Sequence, residues 1–123
     1  MNNATGQKLG RIAATLGVTD IDRSYQVFHS VFGFEKVFEN GDPVGFMILK
    51  KDDAELHLSL QKGYRAPAFN QAHMLVGDAD AALRACERHG LRIIRHIQDK
   101  DYGLRAFVFA DPDGNRIDVG QII

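Results

Sequence analysis

One pattern of predicted elements occurs twice in this chain of 123 residues, and the duplication constrains the fold more than any single motif does. The pattern is a strand, a helix and three further strands, first over about residues 9–62 and again over about residues 70–122. Chains that repeat one unit bury their core by packing the copies against each other. The positions that superpose at an offset of 58 residues are Val18, Asp20 and Asp22 on Val76, Asp78 and Asp80.

The duplication predicts an α+β fold, in which two tandem β-α-β-β-β units form curved mixed sheets around a central cavity. In each unit an aspartate precedes the helix, where its side chain can accept hydrogen bonds from unpaired backbone N–H groups. The first strand is predicted over Leu9–Val18, and Gly63 and Pro67 mark residues 62–70 as the linker. A chain of this length can bury one shared core, so residues 1–123 are predicted to form a single domain.

The end of the second unit contains the clearest local pattern. Residues 107–119 are predicted to form a strand, an Asp-Pro-Asp-Gly turn and a last strand, because Pro112 and Gly114 suit positions within a tight turn. In the last strand, Asp118 lies between two aliphatic residues. Side chains alternate between the two faces of a strand, so the Asp118 carboxylate is predicted to lie opposite the aliphatic face.

Four chemically distinct positions occupy equivalent places in the two units. Ala13 corresponds to Gln71 at the offset of 58, and His57 corresponds to Asp118 at an offset of 61. If a pseudo-twofold axis relates the units, these four positions face a common cavity. The same offset of 61 superposes Phe46 and Leu56 on Phe107 and Ile117.

Polar neighbours of these positions are further candidates for ligand binding. Glu55 is predicted to share a strand face with His57, and His73 to share one with Gln71. Each has a simpler explanation. His57 and Asp118 could be solvated polar side chains on a sheet. Gln71 and His73, which follow the linker, could belong to a dimer interface.

Arg105, Phe107 and Phe109 alternate along one strand and are predicted to share a face. If that face lines the cavity, the rings supply contact area and the guanidinium holds an anionic or carbonyl group. Phe46 takes the equivalent place in the first unit. The alternative is that this face packs against the helices, which makes the phenylalanines core residues and places Arg105 at the edge of the core.

Composition narrows the classes of partner. A net charge of −1 argues against nucleic acid, which requires a clustered basic face. No apolar run approaches the ~20 residues of a membrane span, and Met1–Ala4 does not resemble a signal peptide. The single Cys86 excludes an internal disulfide and suits the cytoplasm. Exposed sheet edges favour association into a homodimer.

Several spaced motifs resemble the vicinal oxygen chelate superfamily, and within it the glyoxalase and bleomycin-resistance group. The resemblance covers about residues 9–122. It rests on the doubled β-α-β-β-β unit and on four segments in the same order: VTDIDRS at 18–24, VGDAD at 76–80, GLRAF at 103–107 and DPDGN at 111–115.

The resemblance implies where a metal would bind. In the metal enzymes of this superfamily the ligands come from the four equivalent strand positions, commonly His or Gln, Glu, His and Glu. Here those positions hold Ala13, His57, Gln71 and Asp118, and alanine cannot ligate. The prediction is therefore no catalytic metal, with His57, Gln71 and Asp118 as the ligands of one divalent ion if a metal is bound. His73 could substitute for Gln71 after a register shift.

The first functional hypothesis is a protein that binds a small organic molecule, an antibiotic or a metabolite, without metal and without catalytic residues. The alternative is a divalent-metal-dependent lyase, isomerase or dioxygenase acting on a vicinal-oxygen substrate. A third option is a structural or regulatory subunit. The predicted ligand-binding residues are His57, Gln71, His73, Asp118, Glu55, Phe46, Arg105, Phe107 and Phe109.

Overall fold

A computed structural model describes residues 4–123, which form eight strands and two helices. Within these residues, no helix has both the length and the apolar composition needed to cross a membrane. The elements are β1 (Ala14–Val18), α1 (Ile21–Phe32), β2 (Glu35–Gly41), β3 (Val44–Lys51), β4 (Ala54–Leu60), β5 (Asn70–Leu75), α2 (Ala79–Arg88), β6 (Arg92–Asp99), β7 (Leu104–Ala110) and β8 (Arg116–Ile122).

The strands form two four-stranded mixed sheets, one from each unit. The strand orders are β1-β4-β3-β2 in the first sheet and β5-β8-β7-β6 in the second. In each sheet the first strand of the unit pairs in parallel with the last, and the other pairs are antiparallel. The predicted α+β fold of two β-α-β-β-β units is therefore confirmed.

Both helices begin at the predicted aspartates. Asp20 accepts a hydrogen bond from the backbone N–H of Arg23 at 3.0 Å, and Asp78 accepts one from that of Ala81 at 3.0 Å. Each cap satisfies a donor that has no partner within its helix, an effect typically worth about 1 kcal/mol. Equivalent caps at an offset of 58 give the two units the same entry from strand into helix.

The first strand is shorter than predicted. β1 begins at Ala14, and its first partner on β4 is Leu56. Upstream of it, the side chains of Leu9 and Ile12 are 85% and 98% exposed. This segment has apolar residues but no neighbouring strand within residues 4–123 with which to pair, so the hydropathy pattern alone overestimated the strand.

The core lies between the helices and one face of each sheet. Cys86 of α2 is fully buried in it, and burial raises the pKa of its thiol to about 12, as expected for a packing residue. The opposite face of each sheet, called here the helix-free face, carries the polar strand residues. The strand residues of the core are Leu16, Val18, Met47, Leu49, Leu56, Leu58, Phe107, Phe109, Ile117 and Val119.

The cavity-facing position predicted for Arg105, Phe107 and Phe109 is therefore wrong. The two phenylalanines are 1% and 0% exposed, and the ring of Phe109 lies 5.6 Å from that of Phe32 on α1. Phe46, in contrast, lies on the helix-free face, so Met47 rather than Phe46 corresponds to Phe107. β3 and β7 therefore superpose at an offset one residue smaller than the predicted 61. A shift of one residue moves every side chain of a strand to the opposite face.

The predicted Asp-Pro-Asp-Gly turn joins the two units. Asp113 accepts hydrogen bonds from the backbone N–H and the hydroxyl of Thr19, at 3.2 and 2.6 Å, and Arg23 lies 3.3 Å from the same carboxylate. The Asn115 side-chain amide donates to the carbonyl of Gly17 at 2.8 Å. These contacts fix the start of β8 against the end of β1.

Candidate functional site

The edge strands of the two sheets, β1 and β5, lie beside each other and form a seam between the units. At the offset of 58, Ala13 corresponds to Gln71 and Gly17 to Leu75. The two ends of the seam are therefore equivalent by the internal repeat. They differ in content, because Tyr64 of the linker fills one end and the other end is an open cleft.

Tyr64 closes its end of the seam by packing against a glycine. Its ring lies against Gly17, where any side chain would collide with it. Its hydroxyl donates to Oδ1 of Asn115 at 2.6 Å and accepts from Nε2 of Gln71 at 3.0 Å. The carbonyl oxygen of the same Gln71 amide accepts from the backbone N–H of Arg116 at 3.4 Å. Gln71 is thus engaged in holding the seam.

The open end of the seam is a cleft of about 620 Å³. This volume is within the range of small-molecule sites, and most of the wall is apolar, as such sites require. Its charged or ionisable lining residues are Asp53 and Glu55 from the first unit and His73 from the second. The apolar wall includes Ile12, Ala13, Leu56 and Leu75.

Glu55 places a fixed negative charge in the cleft wall. Nε2 of His57 lies 2.7 Å from one carboxylate oxygen, and Nε of Arg11 donates to the other at 2.6 Å. The hydrogen bonds from His57 and then from Arg11 hold the pKa of Glu55 below its ordinary value. Only 7% of its side chain is exposed, and Arg11 and His57 each hold one of its two oxygens, so the carboxylate is fixed in position for a ligand to approach.

An aromatic strip continues from this pair across the helix-free face of the first sheet. The imidazole of His57 meets the ring of Phe46 edge-on at 5.4 Å, and Phe46 meets Phe38 at 6.3 Å. His57 and Phe46 were both predicted to bind ligand, and the structure brings them together. Phe38, which is 50% exposed, extends the surface available to a flat molecule.

The second sheet carries a matching pair. His73 and Asp118 are direct neighbours across β5 and β8, and Nδ1 of His73 lies 2.6 Å from the Asp118 carboxylate. Their side chains are 45% and 23% exposed. A carboxylate at this distance orients an imidazole ring and selects its tautomer. Each sheet therefore presents one histidine–carboxylate pair on its helix-free face.

Residues 4–123 do not form a metal site within one chain. No three His, Cys, Asp or Glu side chains of residues 4–123 come together in a group that could hold an ion. Ala13 offers no donor atom, and the Gln71 amide binds Tyr64 and a backbone N–H. The remaining fallback ligands, His57 and Asp118, each bond to a partner on their own sheet. A stable divalent site usually needs three or four firm ligands.

The structure also assigns a role to Arg105 that the sequence did not indicate. Its Nε and Nη2 atoms donate to the two carboxylate oxygens of Asp80 on α2, both at 3.0 Å, and Nη1 donates to Asp99 at 2.9 Å. These hydrogen bonds fix α2 to β7, and Arg105 does not line the cleft. Tyr64, which follows Gly63 in the predicted linker, is a candidate aromatic gate from the sequence alone, but its packing against Gly17 in the middle of β1 was not predicted.

A search of protein-family models matches residues 8–119 to the Glyoxalase/Bleomycin resistance protein/Dioxygenase superfamily. A search of curated proteins returned no significant match. Solved structures with the same fold include a bleomycin resistance determinant encoded on the transposon Tn5, at 22% identity and a TM-score of 0.77. That alignment covers 93% of this chain and 98% of the other.

Two further structures widen the range of functions found on this fold. The fosfomycin resistance protein FosX from Listeria monocytogenes has 13% identity and a TM-score of 0.79, covering 95% of this chain and 96% of its own. Lactoylglutathione lyase from Agrobacterium tumefaciens has 21% identity and a TM-score of 0.69, covering 91% and 92%. At these identities the likeness establishes the fold, and function has to be argued from the site.

Proposed function

Because this chain belongs to the Glyoxalase/Bleomycin resistance protein/Dioxygenase superfamily, we propose that it binds a small organic molecule in the cleft between β1 and β5, without a catalytic metal. The observation that carries the proposal is a mostly apolar cleft of about 620 Å³ whose wall includes Glu55, a carboxylate with only 7% of its side chain exposed. A site of this kind supplies contact area and a few fixed polar contacts, which suffice to hold a ligand.

The charges of the cleft define the ligand. Glu55 is held ionised by its hydrogen bonds with His57 and Arg11. The ligand is a molecule with an apolar body and a cationic or hydrogen-bond-donating group that reaches Glu55. His73, fixed by Asp118, supplies a polar contact from the second unit. Binding such a molecule without changing its bonds sequesters it, which is how a protein confers resistance to an antibiotic or buffers a metabolite.

We propose further that the chain works as a homodimer in the cytoplasm. Support for the dimer comes from apolar side chains at the mouth of the cleft, where Ile12 is 98% and Leu75 is 55% exposed. Covering them with a second copy would remove apolar surface from water and enclose the ligand. Support for the cytoplasm comes from Cys86, which is unpaired and buried.

Titration calorimetry tests the binding function directly. A panel of cationic glycopeptide antibiotics and cationic aromatic metabolites is titrated into the wild-type protein and into Glu55→Gln. We expect at least one compound to bind, and its affinity to fall about tenfold or more in Glu55→Gln, since a desolvated charge pair is lost. Asp101→Asn, an exposed carboxylate in the β6–β7 turn, is the matched control and should bind normally. Absence of binding across the panel, or equal affinity in Glu55→Gln, would overturn the proposal.

Metal analysis decides between this proposal and the metal-dependent alternative. Freshly purified protein is analysed for bound metal before and after incubation with Mn²⁺, Fe²⁺, Ni²⁺ and Zn²⁺. We expect less than stoichiometric metal in every case, because the described residues offer no group of three ionisable ligands within a chain. One tightly held ion per chain that is lost in His57→Ala would favour a lyase, isomerase or dioxygenase instead.

A further inference from the structure

A second cavity, of about 400 Å³, lies on the helix-free face of the second sheet, at the end nearest the linker. Its walls come from linker residues 64–68, the turn at 113–114 and the strands β6 and β8. It shares no lining residue with the cleft at Glu55. Three of its lining residues are arginines, Arg65, Arg92 and Arg116, and we call it the arginine pocket.

The strand register places two of these arginines on one face. Arg92 on β6 and Arg116 on β8 are both direct neighbours of Ala110 on the strand between them. Residues in register across a sheet project to the same side, so the two side chains flank the methyl group of Ala110. Two strand spacings separate their Cα atoms by about 10 Å. Two arginine side chains can close that distance on a common small ion.

The three guanidinium groups have no partner among residues 4–123. None of them donates a side-chain hydrogen bond or forms an ion pair there. Other surface arginines of the described chain are also unpaired, but these three line one pocket. The one carboxylate in the pocket wall, Asp113, is 5% exposed and already binds Thr19 and Arg23. The pocket therefore brings together three positive charges beside one carboxylate that is already engaged, and a bound anion would relieve their mutual repulsion.

The frame of the pocket is held in place by hydrogen bonds. Tyr64 directly precedes Arg65 in the linker, and its hydroxyl donates a hydrogen bond to Asn115. In the turn, Asp111 accepts from the backbone N–H groups of Asp113 and Asn115, at 3.0 and 2.7 Å. Both walls that meet the strands are thereby fixed before a ligand arrives. A fixed frame lowers the entropy lost on binding.

We propose that the arginine pocket binds a phosphate-type dianionic group of a small molecule. A carboxylate is satisfied by one bidentate arginine, but three guanidinium groups offer about five N–H donors each and three positive charges. A phosphate or phosphonate group matches them with more acceptor oxygens and a double charge. The pocket is separate from the cleft, so this assignment does not depend on the function proposed for Glu55.

The test uses inorganic phosphate as the probe and NMR of the arginine Nε–Hε resonances as the readout. Phosphate is added at pH 7.5 and constant ionic strength, and acetate is titrated in a parallel experiment. We expect saturable shifts of the Arg65, Arg92 and Arg116 resonances with phosphate, and binding at least tenfold weaker with acetate. Linear drift of all arginine resonances, or acetate binding as strong as phosphate binding, would overturn the assignment.

Single substitutions locate the site. Arg92→Gln and Arg116→Gln should each weaken phosphate binding about tenfold or more, whereas Arg88→Gln on α2 removes the same charge away from the pocket and should change nothing. Arg92 is exposed, so its replacement leaves the fold intact. Equal phosphate affinity in Arg92→Gln and wild type would contradict the proposal. Glu55→Gln, which tests the cleft, should leave phosphate binding unchanged.

Discussion

Asn115 connects the two units through a single buried side chain. It is fully buried, its amide donates to the Gly17 carbonyl and to the Asp111 carboxylate, and its oxygen accepts from Tyr64. Its two polar atoms therefore bond to three different parts of the chain: β1, the turn at 111–114 and the linker. Buried groups of this kind stabilise little while paired, but removing one leaves its partners unsatisfied.

Asn115→Ala is predicted to lower the free energy of unfolding by about 2–4 kcal/mol, because it leaves several buried groups without partners. Tyr64→Phe removes one hydroxyl from the same network and should cost only about 1 kcal/mol. Urea denaturation of both variants measures the difference. Equal losses in the two variants would show that Asn115 is not the centre of the network.

For single residues, the sequence correctly predicted which side chains of a strand share a face, but it did not always predict which face packs against the helices. The period of two correctly placed His57 opposite the leucines of β4 and Asp118 opposite Ile117. It could not decide which face of β7 meets the helix, because a run of apolar residues on both faces fits either choice. Phe107 was assigned to the wrong face for that reason, and the contact between Phe109 and Phe32 on α1 shows which face meets the helices.

The two helices are fixed to their sheets in different ways. On α2, Asp80 forms a two-point contact with Arg105 of β7, and that contact, first through its hydrogen bonds, holds the pKa of Asp80 below its ordinary value. Its equivalent on α1 at the offset of 58, Asp22, makes no ion pair among residues 4–123. The repeat thus supplies an internal control for the contribution of the contact.

Asp80→Asn is predicted to reduce stability at pH 7 but not in strong acid. Because the pKa of Asp80 is lower in the folded state than its ordinary value of 3.8, the unfolded chain takes up the proton first as the pH falls. Its contribution is complete above that ordinary value and is lost as the pH falls through the folded-state value. Denaturation of wild type and Asp80→Asn at pH 7 and pH 3 should therefore show a difference that shrinks in acid.

Asp22→Asn is the matched control, since it removes the same group from the first turn of the other helix. It should give a smaller effect at pH 7 and a weaker pH dependence. An Asp80→Asn difference that stays constant between the two pH values would show that packing, rather than the ion pair, carries the effect.

The elements themselves were predictable, but the cleft was not. Aspartate caps and alternating strands are local patterns, and they predicted two units of four strands and one helix each, as the structure has them. The shape of the seam depends on which linker side chain enters it. Tyr64 fills one end because Gly17 leaves room there, whereas Leu75 stands at the equivalent place of the other end. No local pattern records that choice.

The whole molecule exposes more apolar surface beside the cleft than a single copy would be expected to keep. Ile12 is 98% and Leu9 is 85% exposed on the segment that precedes β1, and Leu75 is 55% exposed across the cleft. An apolar patch next to a binding site marks a surface for association. In a twofold dimer the same patch is used twice, so one substitution counts twice in the interface.

Ile12→Glu is predicted to dissociate the proposed homodimer. Burying an isoleucine contributes about 1.5–3 kcal/mol, and the dimer would lose this at two places, so its dissociation constant should rise about a hundredfold or more. Sedimentation velocity measures this against a chain mass of 13.7 kDa. Because Ile12 makes almost no contact within its own chain, the variant should unfold like wild type. As a control, Tyr102→Glu changes an exposed residue of the β6–β7 turn and should leave the dimer intact. A wild-type protein that is monomeric would exclude this interface. So would a dimer that Ile12→Glu does not dissociate.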